Sequence, residues 1–311
     1  MDSFGDLFRG MRAQGSLFGS STLSPPWALD FVDGAPLTLC AVISGAGWIV
    51  TEGQPPVELR AGETAVVRGP APFLFVDEVG TTAEPVACGE HCAVPEQGGT
   101  RYRRGWNDCG EGTTTLVVGA YPVRGEISRR LLDALPVVLR VGAGGASDAV
   151  LDHLAAEVVA DTPGQQVVLD RLLDWLLVCA VREYFDRPDG EPPAWYAAQR
   201  DPVVGDALRL LHAEPAAPWS VATLAARTGV SRSTLAKRFA DLVGEPLLTY
   251  LTGWRMTLAA DLLTERESAT VAEVARVVGY SDPFAFSVAF KRVRGVSPSA
   301  FRRTGALARS A

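Results

Sequence analysis

The spacing of apolar residues changes along the chain, and each change predicts a different kind of element. From about Ser16 to Tyr121 the apolar residues fall in short runs divided by glycine and proline, most clearly LTLCAVISGAGWIV, PVELRAGETAVVRG, PFLFVDEV and TTTLVVGAY. Runs of this length, rich in Val, Leu and aromatics, predict strands, and many short strands at this turn spacing predict an all-β sandwich or small barrel. Beyond Tyr121 the period lengthens to that of a helix in GEISRRLLDAL, SDAVLDHLAAEVVAD and VVLDRLLDWLLVCAVREYF. In the last of these, Leu169, Leu172, Leu173, Leu176, Leu177 and Ala180 form a face too broad for one short barrel to cover, which predicts that two subunits pair there as a homodimer, the alternative being that the face packs within its own chain. The proline- and charge-rich RPDGEPPAWYAAQRDP then reads as a linker.

From Ser220 to Arg303 the helical pattern becomes a plan used twice. In SVATLAARTGVSRSTLAKRFADLVG, Ser220 caps a helix with Val221, Leu224 and Ala225 on its apolar face, and Gly229 supplies the positive-φ turn. Ser231 caps a second helix that buries Leu235, Phe239 and Leu242 and turns Arg232, Ser233, Lys237 and Arg238 to other faces, the layout of a recognition helix. The plan recurs in TVAEVARVVGYSDPFAFSVAFKRVRGVSPSAFRR. Here Val271, Val274 and Ala275 face the core, Gly279 makes the turn, and Ser281 caps a helix with Pro283 in its first turn. Phe286, Ala289, Phe290 and Val293 are expected inward; Ala285, Val288, Lys291, Arg292 and Arg294 outward. Between the units, EPLLTYLTGWRMTLAADLLT has no proline after Pro246 and reads as one helix. Eighteen residues span ~27 Å. That length would hold two recognition helices about one DNA turn apart on one face of a duplex.

These residues carry a resemblance. GYSDPFAFSVAFKRVRGVSPSAFR resembles the C-terminal signature of the AraC/XylS family of bacterial transcription regulators, and LAARTGVSRSTLAKRFADLVGEP resembles the first unit of that family. Val288 stands where the family often has a DNA-contacting arginine, and Phe301 where tyrosine is frequent. The upstream turn RAGETAVVRGPAP, with Glu63 as its acid, and the following LLDALPVVLRV resemble the cupin-type sensor domain that precedes many such modules. The resemblance implies a cupin-like sensor over 1–125, a helical dimerisation region over 126–187, a linker over 188–201 and a tandem helix-turn-helix DNA-binding domain over 202–305. It also implies promoter DNA and RNA polymerase as partners, as for an activator, and leaves the operator and the sign of regulation open. By residue, Arg232, Ser233, Lys237 and Arg238 are expected to read or clamp one major groove, and Ser281, Asp282, Ala285, Val288 and Lys291 to face the next. Ala285 and Val288 can meet only apolar surface such as thymine methyls, so polar specificity is expected to sit in the first helix.

Charge sharpens the partition. The 311 residues carry a net charge of −7, yet from Asp201 onward 14 Lys and Arg face 10 Asp and Glu, leaving 15 against 26 upstream. A basic module on an acidic partner suits binding at selected sites rather than general DNA coating. The first fifteen residues are charged, and the longest apolar run, Trp175 to Val181, is too short to span a bilayer, so a cytoplasmic, nucleoid-bound protein with no membrane partner is expected.

Two rival readings are a cupin-type metal enzyme fused to a DNA-binding module and a DNA-binding or interaction protein that senses nothing. The enzyme needs several histidines converging in the barrel, and the whole chain has His91, His153 and His212, the last two outside the predicted strands. The candidate sensor chemistry is softer. Cys88, His91, Cys92 and Cys109 have the residue types for tetrahedral zinc, and equally for a redox thiol set or for cysteines without a role. Cys40 and Cys179 lie in apolar runs and are expected in the core. Trp27, Phe31, Trp48, Phe73 and Phe75 would line a small-ligand cavity in the barrel or else simply pack as its core.

Overall fold

The computed structural model describes residues 3–8, 11–13, 21–32, 34–82, 113–123, 125–160, 162–188, 190–266 and 268–307. It divides into two compact units. One comprises Gly10–Val123 and Leu135–Gly190; the other comprises Met1–Arg9, Arg124–Ala134 and Glu191–Ala311.

The first unit is built on two antiparallel sheets. Strands β1 (Ser21–Leu23), β3 (Leu37–Ser44), β6 (Thr64–Arg68), β8 (Thr114–Tyr121) and β9 (Val138–Val141) form a sheet in the order β1-β8-β3-β6-β9. Strands β2 (Ala28–Phe31), β4 (Ala46–Thr51), β5 (Val57–Arg60) and β7 (Phe73–Val76) form the other, in the order β2-β7-β4-β5. The four sequence runs singled out above supply β3 through β8. Alternation along β4 buries Gly47 and Ile49 and leaves Trp48 and Val50 half-buried, as a strand with one face on a core requires. Leu29, Phe31, Cys40, Val42, Ile49, Leu59, Phe75 and Val118 meet in that core. Cys40 is fully enclosed, and burial pushes its thiol well above the ordinary range, which makes it a packing residue. Cys179 is buried as well.

The segment 126–187 is not purely helical. Val138–Val141 is a strand that pairs with β6, because Val-Leu-Arg-Val alternates its burial and completes the sheet edge. Glu63 explains the acidic position of the glycine turn. Its carboxylate accepts two hydrogen bonds from the Arg140 guanidinium, at 2.6 and 3.2 Å, and one from the Arg60 amide at 2.9 Å. Burial pushes its pKa up, but these donors outweigh it and hold the carboxyl below its ordinary range.

Helices α3 (Asp148–Val158) and α4 (Gln165–Asp186) complete this unit. Leu169, Leu173, Leu176, Leu177 and Ala180 of α4 are fully buried within a single chain, where α4 packs on α3, β6 and β9. At these five positions the face packs within its own chain, because a helix and an extra strand supply the cover that a bare barrel lacks; Leu172, the sixth residue of the expected face, is half-buried.

The second unit is all helix: α1 (Ser3–Leu7), α2 (Glu126–Ala134), α5 (Ala194–Ala197) running into a 3-10 turn (Ala198–Arg200), α6 (Pro202–Ala213), α7 (Val221–Arg227), α8 (Arg232–Val243), α9 (Leu247–Glu265), α10 (Val271–Val277), α11 (Pro283–Arg294) and α12 (Pro298–Leu307). Part of the expected linker is folded, with Ala198 buried and Trp195 packed on the core of α6, α7 and α8. Among the described residues no helix is long and apolar enough to cross a membrane.

Candidate nucleic-acid interface

Each helix-turn-helix motif begins with a capped helix. Ser220 and Thr223 form a reciprocal capping box at the start of α7, and Thr270 and Glu273 form the same box at the start of α10. Such caps contribute about 1 kcal/mol each. Both motifs turn through glycines at positive φ, Gly229 at 72° and Gly279 at 86°. At Gly279 a Cβ would also stand 2.6 Å from the Ala216 carbonyl oxygen, so conformation and space both exclude a side chain there.

The first recognition helix, α8, is capped by Ser231, whose hydroxyl accepts from the Thr234 amide at 3.1 Å. Leu235, Phe239 and Val243 anchor it. Leu242, expected inside, is 39% exposed, and its neighbour Val243 is buried in its place. Arg232, Ser233 and Lys237 are exposed. Arg238 is engaged elsewhere: its guanidinium meets the Asp201 carboxylate at 2.5 and 2.7 Å. Asp201 in turn caps α6, accepting from the Val203 and Val204 amides at 3.0 and 2.9 Å. Burial raises its pKa, but these amides and Arg238 outweigh that and hold the carboxyl below its ordinary value. Arg238 thus ties α8 to the start of α6.

The second recognition helix, α11, is capped by Asp282 rather than Ser281, because the Asp282 carboxylate reaches the Phe284 and Ala285 amides at 3.0 and 3.1 Å. Phe286, Ala289 and Phe290 are buried as expected, while Val293 is 43% exposed. Ala285, Val288, Lys291 and Arg292 face outward. Sequence reasoning passed over Phe284, which is 77% exposed at the first turn. Its position directly after the Asp-Pro start, off the Phe286–Phe290 stripe, was the available signal. The polar groups between these apolar residues are already used: Asp282 caps, and the Ser287 hydroxyl donates to the Pro283 carbonyl at 2.8 Å. Arg294, expected outward, is half-buried, donating to Glu126 at 2.7 Å and to Thr257 at 3.1 Å.

Helix α9 runs unbroken for 19 residues between the motifs. Its first half joins the core of the first motif through Leu247, Tyr250 and Leu251. Its second half joins the core of the second motif through Met256, Ala259, Ala260 and Leu263. Arg255 fastens the chain before α7, donating to the carbonyls of Pro215 and Ala217 at 2.7 and 2.8 Å.

Of the candidate sensor residues, Cys88, His91, Cys92 and Cys109 lie outside the described residues. Among the described residues no group of three or more His, Cys, Asp and Glu stands close enough to hold a metal ion. His153 is exposed on α3, and His212 is buried in α6 with its Nε2 at 2.8 Å from the Tyr250 hydroxyl. Four of the five aromatics come together. Trp27 meets Phe75 edge to face at 5.5 Å, and Phe31 stacks on Phe73 at 4.4 Å. A Cβ at Gly47 would lie 2.7 Å from the Trp27 ring, so that region is closely filled. Trp48 points to the other side of its strand and is half-buried.

Two motifs on one continuous helix, joined in one chain to a two-sheet domain, define a two-part DNA-binding regulator, and sequence comparison places it in a family. Residues 2–186 match the family described as Cupin, and residues 224–304 match the family described as Helix-turn-helix domain. The chain is 33% identical to AraC-like transcription regulators of Streptomyces antibioticus and Streptomyces lividans, in each case over 97% of its own length and 99% and 98% of theirs. It is 34% identical to the HTH-type transcriptional regulator AlkR of Acinetobacter baylyi over 60% of this chain and 58% of that one. Among solved structures it is similar to the DNA-binding domain of AdpA in complex with a target DNA (34% identity, 33% of this chain and 92% of that chain, TM-score 0.32). It is also similar to ToxT of Vibrio cholerae (11% identity, 94% and 97%, TM-score 0.34). The chain belongs to the AraC-like family of transcription regulators, with a cupin N-terminal domain and a helical DNA-binding domain.

Proposed function

We propose that this regulator binds two successive major grooves of promoter DNA in the cytoplasm, at the nucleoid, and that its cupin domain sets that binding in response to a signal rather than catalysing a reaction. The observation that carries the DNA reading is the asymmetry of the two exposed helix faces. On α8, Arg232, Ser233 and Lys237 offer hydrogen-bond donors to bases and phosphates. On α11, Phe284, Ala285 and Val288 offer only apolar surface, suited to thymine methyls, with Lys291 and Arg292 beyond them to meet phosphates. Arg238 acts through Asp201, holding α8 against α6.

The sensing side of the proposal rests on the cysteine and histidine set at Cys88, His91, Cys92 and Cys109 as a zinc or redox-thiol site, or on a small ligand at the cupin core. Pairing of two subunits is proposed on the solvent side of α4, where Val168, Leu172 and Trp175 follow helical spacing and Trp175 is 49% exposed. RNA polymerase is proposed as the protein partner at the promoter.

The test is selection of duplexes from a random pool by the full chain, followed by gel-shift titration. Lys237→Ala and Arg232→Ala are expected to weaken the selected site by at least several-fold, while Arg187→Ala leaves it unchanged. Equal effects of all three would refute the assignment. Zinc content and free-thiol counts on anaerobically purified protein then separate the sensor readings.

A further inference from the structure

Helix α2 lies far upstream of residues 224–304, which match the helix-turn-helix family, yet it is built into the same compact unit as the two motifs. It runs antiparallel to α9 and grips it twice. At its N-terminal end the Asp261 carboxylate accepts from the Glu126 amide at 2.5 Å and the Ile127 amide at 3.2 Å, capping α2 from another helix. The residue at the natural cap position is Gly125, with φ at 90°, and a Cβ there would stand 2.9 Å from that carboxylate. Glu126 also pairs with Arg294, the last residue of α11, at 2.7 Å, and both side chains are largely buried. One turn further on, the Arg130 guanidinium lies 5.7 Å from the ring centroids of both Tyr250 and Trp254.

The two grips fall on different motifs. Tyr250 belongs to the core of the first motif and is bonded through its hydroxyl to His212 of α6. Asp261 lies among the α9 residues that build the core of the second, and Arg294 ends its recognition helix. Between them, in the interior of α9, stands Gly253. A mid-helix glycine weakens a helix by roughly 1 kcal/mol relative to alanine. The connecting helix is therefore softest between the two motifs, and α2 bridges that point with charge-assisted and cation–π contacts, which are strong when shielded from water.

We propose that α2 is a splint on α9: Arg130, Glu126 and Asp261 are positioning residues that fix the angle between the two recognition helices and so determine which half-site spacing the protein accepts. This rests on the two-groove DNA reading above. Each added base pair shifts one half-site by ~3.4 Å and turns it by about a tenth of a helical turn. A rigid pair of motifs must lose contacts at the wrong spacing; a pair hinged at Gly253 can follow the DNA.

The experiment uses the full chain and duplexes obtained by selection, with the spacing between half-sites lengthened or shortened by one base pair. Wild type is expected to lose roughly ten-fold or more in affinity per base pair, the scale of a lost base contact. The double variant Glu126→Ala/Arg130→Ala is expected to lose about three-fold or less on the same scale. An added Cβ at Gly253 meets no other atom within 4 Å, so Gly253→Ala stiffens α9 without a clash and is expected to restore spacing selectivity in that background. Simple loss of stability would weaken all spacings alike and would not be rescued in this way. A folded double variant that keeps the wild-type spacing profile overturns the splint. Should it fail to fold, Glu126→Gln/Arg130→Lys, which keeps size but removes one charge and the planar guanidinium, is read by the same criterion. A chain that selects no duplex at all overturns the DNA reading itself.

Discussion

Asp261 provides a direct test of how α2 is seated. Its carboxyl is buried, which disfavours the charged form. The amide bonds from Glu126 and Ile127 offset part of that, and the nearby Glu265 and Glu126 carboxylates add to the upward push, so its pKa rises from the ordinary 3.8 to about 6. A shift of about two units corresponds to ~3 kcal/mol. The sign follows from proton linkage. Between about pH 4 and 6 the folded protein keeps a proton on Asp261 that the unfolded chain has released, so this group's contribution is fully present below the unfolded value and is lost as pH rises through 6. Asp261→Asn removes the titration and replaces one acceptor by an amide that cannot serve both backbone donors, a pH-independent loss of about 1 kcal/mol. The variant is therefore expected to be less stable than wild type near pH 4.5 and to overtake it by pH 7.5. The assay is urea unfolding at a series of pH values, followed by hydrogen exchange in peptides from α9 and α11 so that only the helical unit is read. Carbon-13 titration of the aspartate carboxyls should locate one midpoint near 6 that is absent from the variant. A stability difference independent of pH, or a carboxyl that titrates below about 4.5, would refute the reasoning.

Replacing thymine by uracil in the half-site facing α11 should weaken binding by about 0.5–1 kcal/mol per methyl removed, the scale of one buried methyl group; Phe284→Ala/Val288→Ala should erase the difference in gel-shift titration, and the half-site facing α8 should be less sensitive. Lys237→Ala should lower the slope of log affinity against log salt by about 1 if the ammonium meets a phosphate, and an unchanged slope would move it to base readout. Asp201→Ala removes the cap of α6 and the partner of Arg238, and should cost about 1–2 kcal/mol at neutral pH. That contribution is present above the unfolded value and is lost as pH falls through the depressed folded pKa, so wild type and variant should converge in acid thermal melts. Trp175→Glu should shift a dimer to monomer in analytical ultracentrifugation while leaving far-UV circular dichroism unchanged; an unaltered dimer would place the subunit contact elsewhere.

The patterning of single elements carried far. The strand runs, Gly229 and Gly279 at their turns, the caps at Ser220 and Ser231, and the continuous helix through Leu247–Glu265 were all legible, because propensity, capping and hydrophobic period act over a few residues. The same locality explains the small errors. Asp282 and Ser281 are both good caps, and only the backbone geometry of the Pro283 turn selects the carboxylate. Leu242 and Val243 are both apolar and both within a turn of Phe239, and the neighbouring helices that share the core with Val243 decide which of them is buried.

What lay beyond the sequence is what depends on distant partners. Nothing in GEISRRLLDAL indicates that it docks on a helix more than a hundred residues later, or that Asp261 rather than a neighbour caps it. The broad face of α4 read as a subunit contact because its cover, α3 and the strand Val138–Val141, cannot be assigned to it from periodicity alone. Arg238 and Arg294 looked like free cations, and their fates at Asp201 and Glu126 were decided by which helices meet. Sequence by itself determined the class of protein and the order of its elements, through local rules that repeat along the chain. Tertiary structure decided which charges remain available for DNA and which hold the reading heads in place, since pairing a charge needs a partner brought within about 3 Å by packing.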